Sequence, residues 1–163
     1  MTAEANVRDA GAEDIPLLVR HRRLMKQEIL ELSGRPMTQS ELDAIEAAFF
    51  AYLRQTLGRT TWGWVAELSG RAAAGAVVSK LAYPPDYAGA TGPAALLYNV
   101  YTELDCRRMG CARRVCEAAI AHCRAHGMCK VVLHTSDAGR PLYEALGFYA
   151  RPAMWLDLPR EQV

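Results

Sequence analysis

The chain has 163 residues, a length that fits one domain with a full hydrophobic core. Hydrophobic residues make up 51%, charged residues 23%, and the net charge is +1. That ordinary globular balance excludes a global field that would gather nucleic acid or membrane surface.

No basic n-region followed by an apolar h-region opens the sequence, and no apolar run approaches the ~20 residues of a membrane span. The five cysteines, Cys106, Cys111, Cys116, Cys123 and Cys129, are odd in number and contain no CxxC pair. They argue against a disulfide framework or a zinc site and read as small apolar filler in a reducing compartment, which predicts a cytoplasmic protein.

Asn6 to Ala10 reads as a first strand. Asp14 and Pro16 start a helix whose apolar positions run from Ile15 to Ile29 and which breaks at Ser33-Gly34-Arg35-Pro36. Thr38, with Glu41 three residues on, forms a capping box for a second helix that ends at Gly58. Thr61 to Leu68 and Ala73 to Leu81 alternate as two strands around a Ser69-Gly70-Arg71 turn, a hairpin. Residues 84–93 form a loop. Ala94 to Thr102 is a nearly continuous apolar run, as a central strand should be. A helix follows from about Gly110 to His126, then a strand at Lys130 to His134, a short helix near Gly139 to Leu146, and a last strand from Phe148 to Leu158 interrupted near Pro152. The order β-α-α-β-β-β-α-β-α-β implies one domain over residues 1–163, an α/β (α+β) fold with a mixed sheet and helices packed on it.

Arg107-Arg108-Met109-Gly110-Cys111-Ala112 joins the apolar strand to the long helix. The first N–H groups of a helix lack intrahelical partners, and the helix dipole adds partial positive charge there. A basic turn whose Gly110 admits close approach of a ligand to the backbone is therefore a site for phosphate or pyrophosphate.

These residues resemble the GCN5-related N-acetyltransferase (GNAT) superfamily. Its central signature stands here as Arg107-x-x-Gly110-x-Ala112, and a second, a Tyr before a Leu-Gly-Phe ending, as Tyr143-Glu144-Ala145-Leu146-Gly147-Phe148. The resemblance covers about Asn6 to Leu158. It implies a mostly antiparallel sheet of six to seven strands flanked by helices, with a central β-α-β unit that binds acyl-coenzyme A. It also implies acetyl transfer from acetyl-coenzyme A, as co-substrate, to an amine of a small molecule or peptide. On this resemblance the amides of Arg108, Met109, Gly110, Cys111 and Ala112 cradle the pyrophosphate, with Arg107 or Arg108 pairing with phosphate. Val100, Tyr101 and Thr102 offer backbone to pantetheine where the strand splays at a bulge, and an N–H there polarises the thioester carbonyl. Ser136 stands near a position often filled by Asn and offers the cofactor arm a hydroxyl instead of an amide. Similar proteins are often homodimers.

Tyr143 is the candidate general acid by the same analogy: a phenol stays protonated at neutral pH and can donate to the departing sulfur. The base is not readable. Glu103 closes the central strand and could act through a water, although a solvated loop carboxylate is the plainer reading. His134 and Asp137 read more simply as surface groups. His122 and His126 lie four apart on a helix but lack a third ligand, so they read as a surface pair and no metal is expected. The cluster Arg20-His21-Arg22-Arg23 lacks the interleaved aromatics of a nucleic-acid face. The acceptor site is expected from the first two helices, the 58–62 turn, the 84–93 loop and the last strand, with Tyr83, Tyr87, Trp62, Trp64 and Trp155 as candidate lining. Glu28, Glu31, Glu41 and Glu46 come nearest to an acidic patch. A reading of another class is a non-catalytic acyl-coenzyme A-binding sensor; an intact Tyr143 favours the enzyme.

Overall fold

The computed structural model describes residues 5–85 and 91–158. It contains β1 (Asn6–Asp9), α1 (Ile15–Leu32), α2 (Gln39–Thr56), β2 (Thr61–Leu68), β3 (Arg71–Leu81), β4 (Ala94–Thr102), α3 (Cys111–Ala125), β5 (Lys130–Val132) and α4 (Arg140–Ala145). Among the described residues the five strands form one sheet in the order β1-β2-β3-β4-β5. The first four are antiparallel, and β5 joins β4 in parallel after the α3 crossover.

The helix boundaries follow local chemistry. The Glu41 N–H donates to Thr38 Oγ1 at 3.2 Å while the Thr38 N–H donates to Glu41 Oε2 at 2.8 Å, so the two close the capping box that starts α2. Asp14 anchors the entry to α1: its carboxylate accepts the Gly11 N–H and a two-pronged bond from Arg8, which holds it well below the usual carboxylate range.

The two faces of the sheet are covered differently. α3 buries Cys111, Val115, Cys116, Ala119 and Cys123 on one stripe against Trp64, Ala66, Ala74, Ala76, Val78 and Ala95. The alanines let the helix approach closely, and the cysteines fill space as small hydrophobes. On the other face α1 and α2 pack Ile15, Leu18, Val19, Phe49 and Leu53 against Val77.

The expected sixth strand is not formed. Residues 148–158 carry no strand assignment and are largely exposed, with Met154 at 99% and Trp155 at 74% of their reference area. β5 is also shorter than the expected run to His134, so little ladder remains for a following strand, and Pro152 supplies no N–H to one.

Candidate active site

β4 is the element that builds the site. β5 pairs only with its first third, from Ala94↔Lys130 to Leu96↔Val132. From Leu97 to Thr102 the strand has β3 on one side and, among the described residues, no strand on the other. The β3–β4 register also slips by one residue: Gly75 faces Tyr101 while Val77 faces Tyr98, so Ala76 lies opposite both Asn99 and Val100. Asn99 takes up the extra residue with φ +56, a left-handed conformation that asparagine tolerates better than most side chains. Its Nδ2 donates to the Leu18 carbonyl at 2.9 Å, which fixes the bulge to α1, while its buried Oδ1 has no partner among the described residues. The positions 100–102 that the resemblance singled out thus lie directly after a bulge, on the half of β4 that has backbone to spare.

The loop after β4 presents the second part of the site. Arg108 and Gly110 both have positive φ, +65 and +80, which bends the chain sharply before α3 begins at Cys111. A Cβ added to Gly110 would meet nothing within 4 Å, so the space over that backbone is open. The first amide bonded back along the helix is that of Arg114, to the Gly110 carbonyl at 3.1 Å. The amides of Cys111, Ala112 and Arg113 precede it and have no carbonyl a turn behind them in the helix. Met109 is exposed, whereas the Cys111 side chain is buried under α3, so Cys111 offers the site its backbone and not its thiol. The two arginines divide. Arg107 Nη2 contacts both Glu28 oxygens at 2.8 Å, and its guanidinium lies 5.6 Å over the Tyr101 ring. The Arg108 side chain has no hydrogen bond or ion pair among the described residues and is the arginine left for a phosphate.

A cleft of about 800 Å³ opens between α1, α2, the free half of β4 and the segment leading to α4. Val100, Ser136 and Tyr143 line it, as do His134, Phe49, Tyr52 and Tyr98. Burial, with a smaller push from Cys116, raises the Tyr143 phenol well above its ordinary value, so it is protonated at neutral pH. Its hydroxyl has no hydrogen bond among the described residues, and its ring is held edge-on by Phe148 at 5.9 Å. Ser136 Oγ accepts the Gly139 N–H at 3.3 Å, which ties the loop to the start of α4.

Glu103 is not among the residues lining the cleft. Its Oε1 accepts from Arg20 Nη1 at 2.9 Å and meets His21 Nε2 at 3.0 Å. His21 is fully buried, 5.1 Å from the Tyr101 ring, and burial pulls its pKa below the ordinary imidazole value against the opposing pull of Glu103. Gly75 makes room for that ring: a Cβ there would stand 3.0 Å from His21 Nδ1. Nothing in the sequence marks His21 out from its basic neighbours, because its burial depends on a glycine more than fifty positions away.

Of the aromatics expected around the acceptor, none that the structure describes is among the residues lining the cleft. Trp62 and Trp64 pack on the α3 side, where Trp62 is 4.7 Å from the His122 ring. His122 is half buried and stacked on His126 at 3.9 Å, so the expected surface pair is partly interior. Tyr83 is exposed beneath the Lys130 ammonium, and Trp155 sits edge-on to His134. Tyr87 lies outside the described residues. Phe49, Tyr52 and Tyr98 line the cleft instead; Phe49 and Tyr52 lie on the apolar face legible in the helical spacing of α2, and Tyr98 in the apolar run of β4.

The same architecture recurs in solved structures. The GCN5-related N-acetyltransferase from Ralstonia eutropha JMP134 is 25% identical, with 95% of this chain and 99% of that chain covered at a TM-score of 0.82. A predicted acetyltransferase with acetyl-CoA from Clostridium acetobutylicum is 27% identical, with 96% of each chain covered at 0.76. The glucosamine-6-phosphate N-acetyltransferase from Arabidopsis thaliana shares the fold, at 21% identity, 95% and 98% coverage and a TM-score of 0.62. No functionally curated protein matches the chain at a significant level. The model of the acetyltransferase (GNAT) family matches residues 26–148, a span that runs from the cleft face of α1 through the bulged β4 and the glycine turn to Phe148, and this chain belongs to that family.

Proposed function

We propose that the chain transfers an acetyl group from acetyl-coenzyme A directly to the amine of a small molecule or peptide. The observation that carries this reading is that the second half of β4, bulged at Asn99, is paired with β3 on one edge and has no strand on the other among the described residues, with Tyr143 opening into the same cleft.

The residues present fit acetyl-coenzyme A. The open space over Gly110 and the amides at the start of α3 suit a pyrophosphate, with Arg108 beside them. The spare backbone of Val100, Tyr101 and Thr102 suits an amide-bearing arm. When bound, this co-substrate supplies an activated acyl group on a thioester. The chain's part is to hold and to donate protons. A backbone N–H after the bulge donates to a carbonyl oxygen, an oxyanion-type contact. Tyr143, kept protonated by its apolar surroundings, donates its phenolic proton to a leaving sulfur. Among the described residues His134 is the histidine that lines the cleft, and we assign it the role of proton acceptor. Glu103, committed to Arg20 and His21, serves to anchor α1 to the end of β4.

The cysteines favour a direct route over a covalent one. Cys106, Cys111, Cys116 and Cys123 are buried, and burial pushes Cys116 up to about 12 and Cys123 up to about 11, so these thiols do not supply thiolate at neutral pH.

The test is release of free thiol from acetyl-coenzyme A with a panel of amines, combined with initial-rate kinetics. Intersecting double-reciprocal lines are expected; parallel lines would indicate an acyl-enzyme. Binding without turnover on any amine would favour a sensing domain. Gly110→Val, which puts a branched side chain into the open space at positive φ, should weaken acetyl-coenzyme A by roughly tenfold or more in calorimetry.

A further inference from the structure

The cleft has a charge pattern of its own. Arg22 and Lys26 stand one turn apart on α1, and both line it. The other arginines near this helix are neutralised: Arg20 by Glu103, Arg23 by Asp43 and Glu46, Arg107 by Glu28. Arg22 has no such partner among the described residues, nor has Lys26. Among the described residues no aspartate or glutamate lines the cleft.

Arg22 is held all the same. Its guanidinium lies 4.8 Å over the Phe49 ring and 5.7 Å from that of Tyr98. Two aromatic faces fix the plane of the group but leave its five N–H donors unspent. Burial pulls both cations down from their ordinary values, and for Lys26 the neighbouring Arg22 adds to the effect. A cation withdrawn from water without a counter-charge costs free energy that a bound anion would recover. The wall beside it adds hydroxyls and a third cation: Ser79 Oγ is bonded to Tyr52 and Tyr98 hydroxyls at 2.9 and 2.8 Å, and Lys80 lines the cleft next to it. Tyr143 lies on the same cleft.

We infer that the acceptor is an amine carrying an oxyanion group, carboxylate or phosphate, which Arg22 grips with Lys26 beside it while the amine faces the Tyr143 end. This rests on the acetyl-transfer reading for the word acceptor, but the anion site stands on the cleft alone. A planar fork suits either oxyanion, since both present two oxygens to parallel N–H groups.

The experiment pairs each acidic amine with its neutral counterpart: α-amino acids against their amides, and aminoalkyl phosphates against the matching amino alcohols. Calorimetry on the full chain measures binding, and thiol release measures turnover. The acidic member of at least one series should bind and react better, and the series that responds separates carboxylate from phosphate. In Arg22→Gln the acidic-to-neutral ratio of kcat/KM should fall roughly 10- to 100-fold, with Arg22→Lys restoring part of it. Lys26→Gln should lower the ratio less. The affinity for coenzyme A, measured in parallel, should hold in both. Equal use of acidic and neutral amines, or an unchanged ratio in a folded Arg22→Gln, would overturn the inference while leaving acetyl transfer in place. Loss of coenzyme A affinity in Arg22→Gln would overturn it too, by giving Arg22 to the co-substrate. Tight binding of the acidic amines without any thiol release would uphold the anion site and overturn the acetyl-transfer reading.

Discussion

The two faces of one sheet do different work here. Against α3, the sheet presents alanines, Val78 and Trp64, and the helix returns small buried side chains; the interface is apolar and close. Against α1 and α2, the same strands present Gly75, Ser79, Tyr98 and Asn99, and the contact is broken by a cleft of about 800 Å³. The bulge at Asn99 separates these roles along β4. It puts Tyr98 and Asn99 toward α1 and α2, and returns Val100 to the cluster under α3. A single extra residue in one strand lets one face stay sealed while the other opens.

That contrast can be broken from either side. The largest effect is expected on the sealed face: Trp64→Ala leaves a hole under α3 and should cost about 3–5 kcal/mol of unfolding free energy, read by denaturant titration. The same variant should leave acceptor preference alone if the faces are independent. Tyr143→Phe asks the converse. It should cut turnover by roughly 100-fold with little change in melting temperature, because the hydroxyl has no bond to lose. Near-normal turnover would remove the acid role. Gly75→Ala tests the cleft face where it is tight. Its Cβ would stand 3.0 Å from His21 Nδ1 and 3.2 Å from Leu18 Cδ2, so overpacking should cost about 1–3 kcal/mol. An equal gain in stability would mean that α1 can yield.

The smallest effect is in pH. His21 and His122 both titrate below their ordinary value when folded, chiefly through burial. The unfolded chain therefore binds more protons just below pH 6.5, and stability should fall as pH drops through that region. His122→Gln should flatten the slope without touching catalysis, and an unchanged slope would assign it to His21 alone.

Much of the frame was legible in the sequence because it rests on local chemistry. The Thr38–Glu41 box, the Ser69-Gly70 turn and the α3 stripe are each written within a few residues. The turn from Arg107 to Ala112 was legible for the same reason. The cleft was not. Arg22 and Lys26 are ordinary helix residues until α2 places Phe49 beneath Arg22, and one of the partners that hold Glu103 is a histidine buried by a distant glycine. The bulge had one signal, a lone asparagine in an apolar strand, but a run hydrophobic on both faces gives no alternation from which to read a slip in phase. The last strand failed for the opposite reason: its apolar residues suggested a ladder for which β5 leaves no room.

The open edge of β4 also makes occupancy visible in the protein itself. Backbone amides that face the gap are shielded only while something occupies it, so hydrogen–deuterium exchange over residues 97–102 becomes a reporter of co-substrate binding that needs no turnover. Protection there should rise with acetyl-coenzyme A, while the amides of β2, enclosed between β1 and β3, should hardly respond.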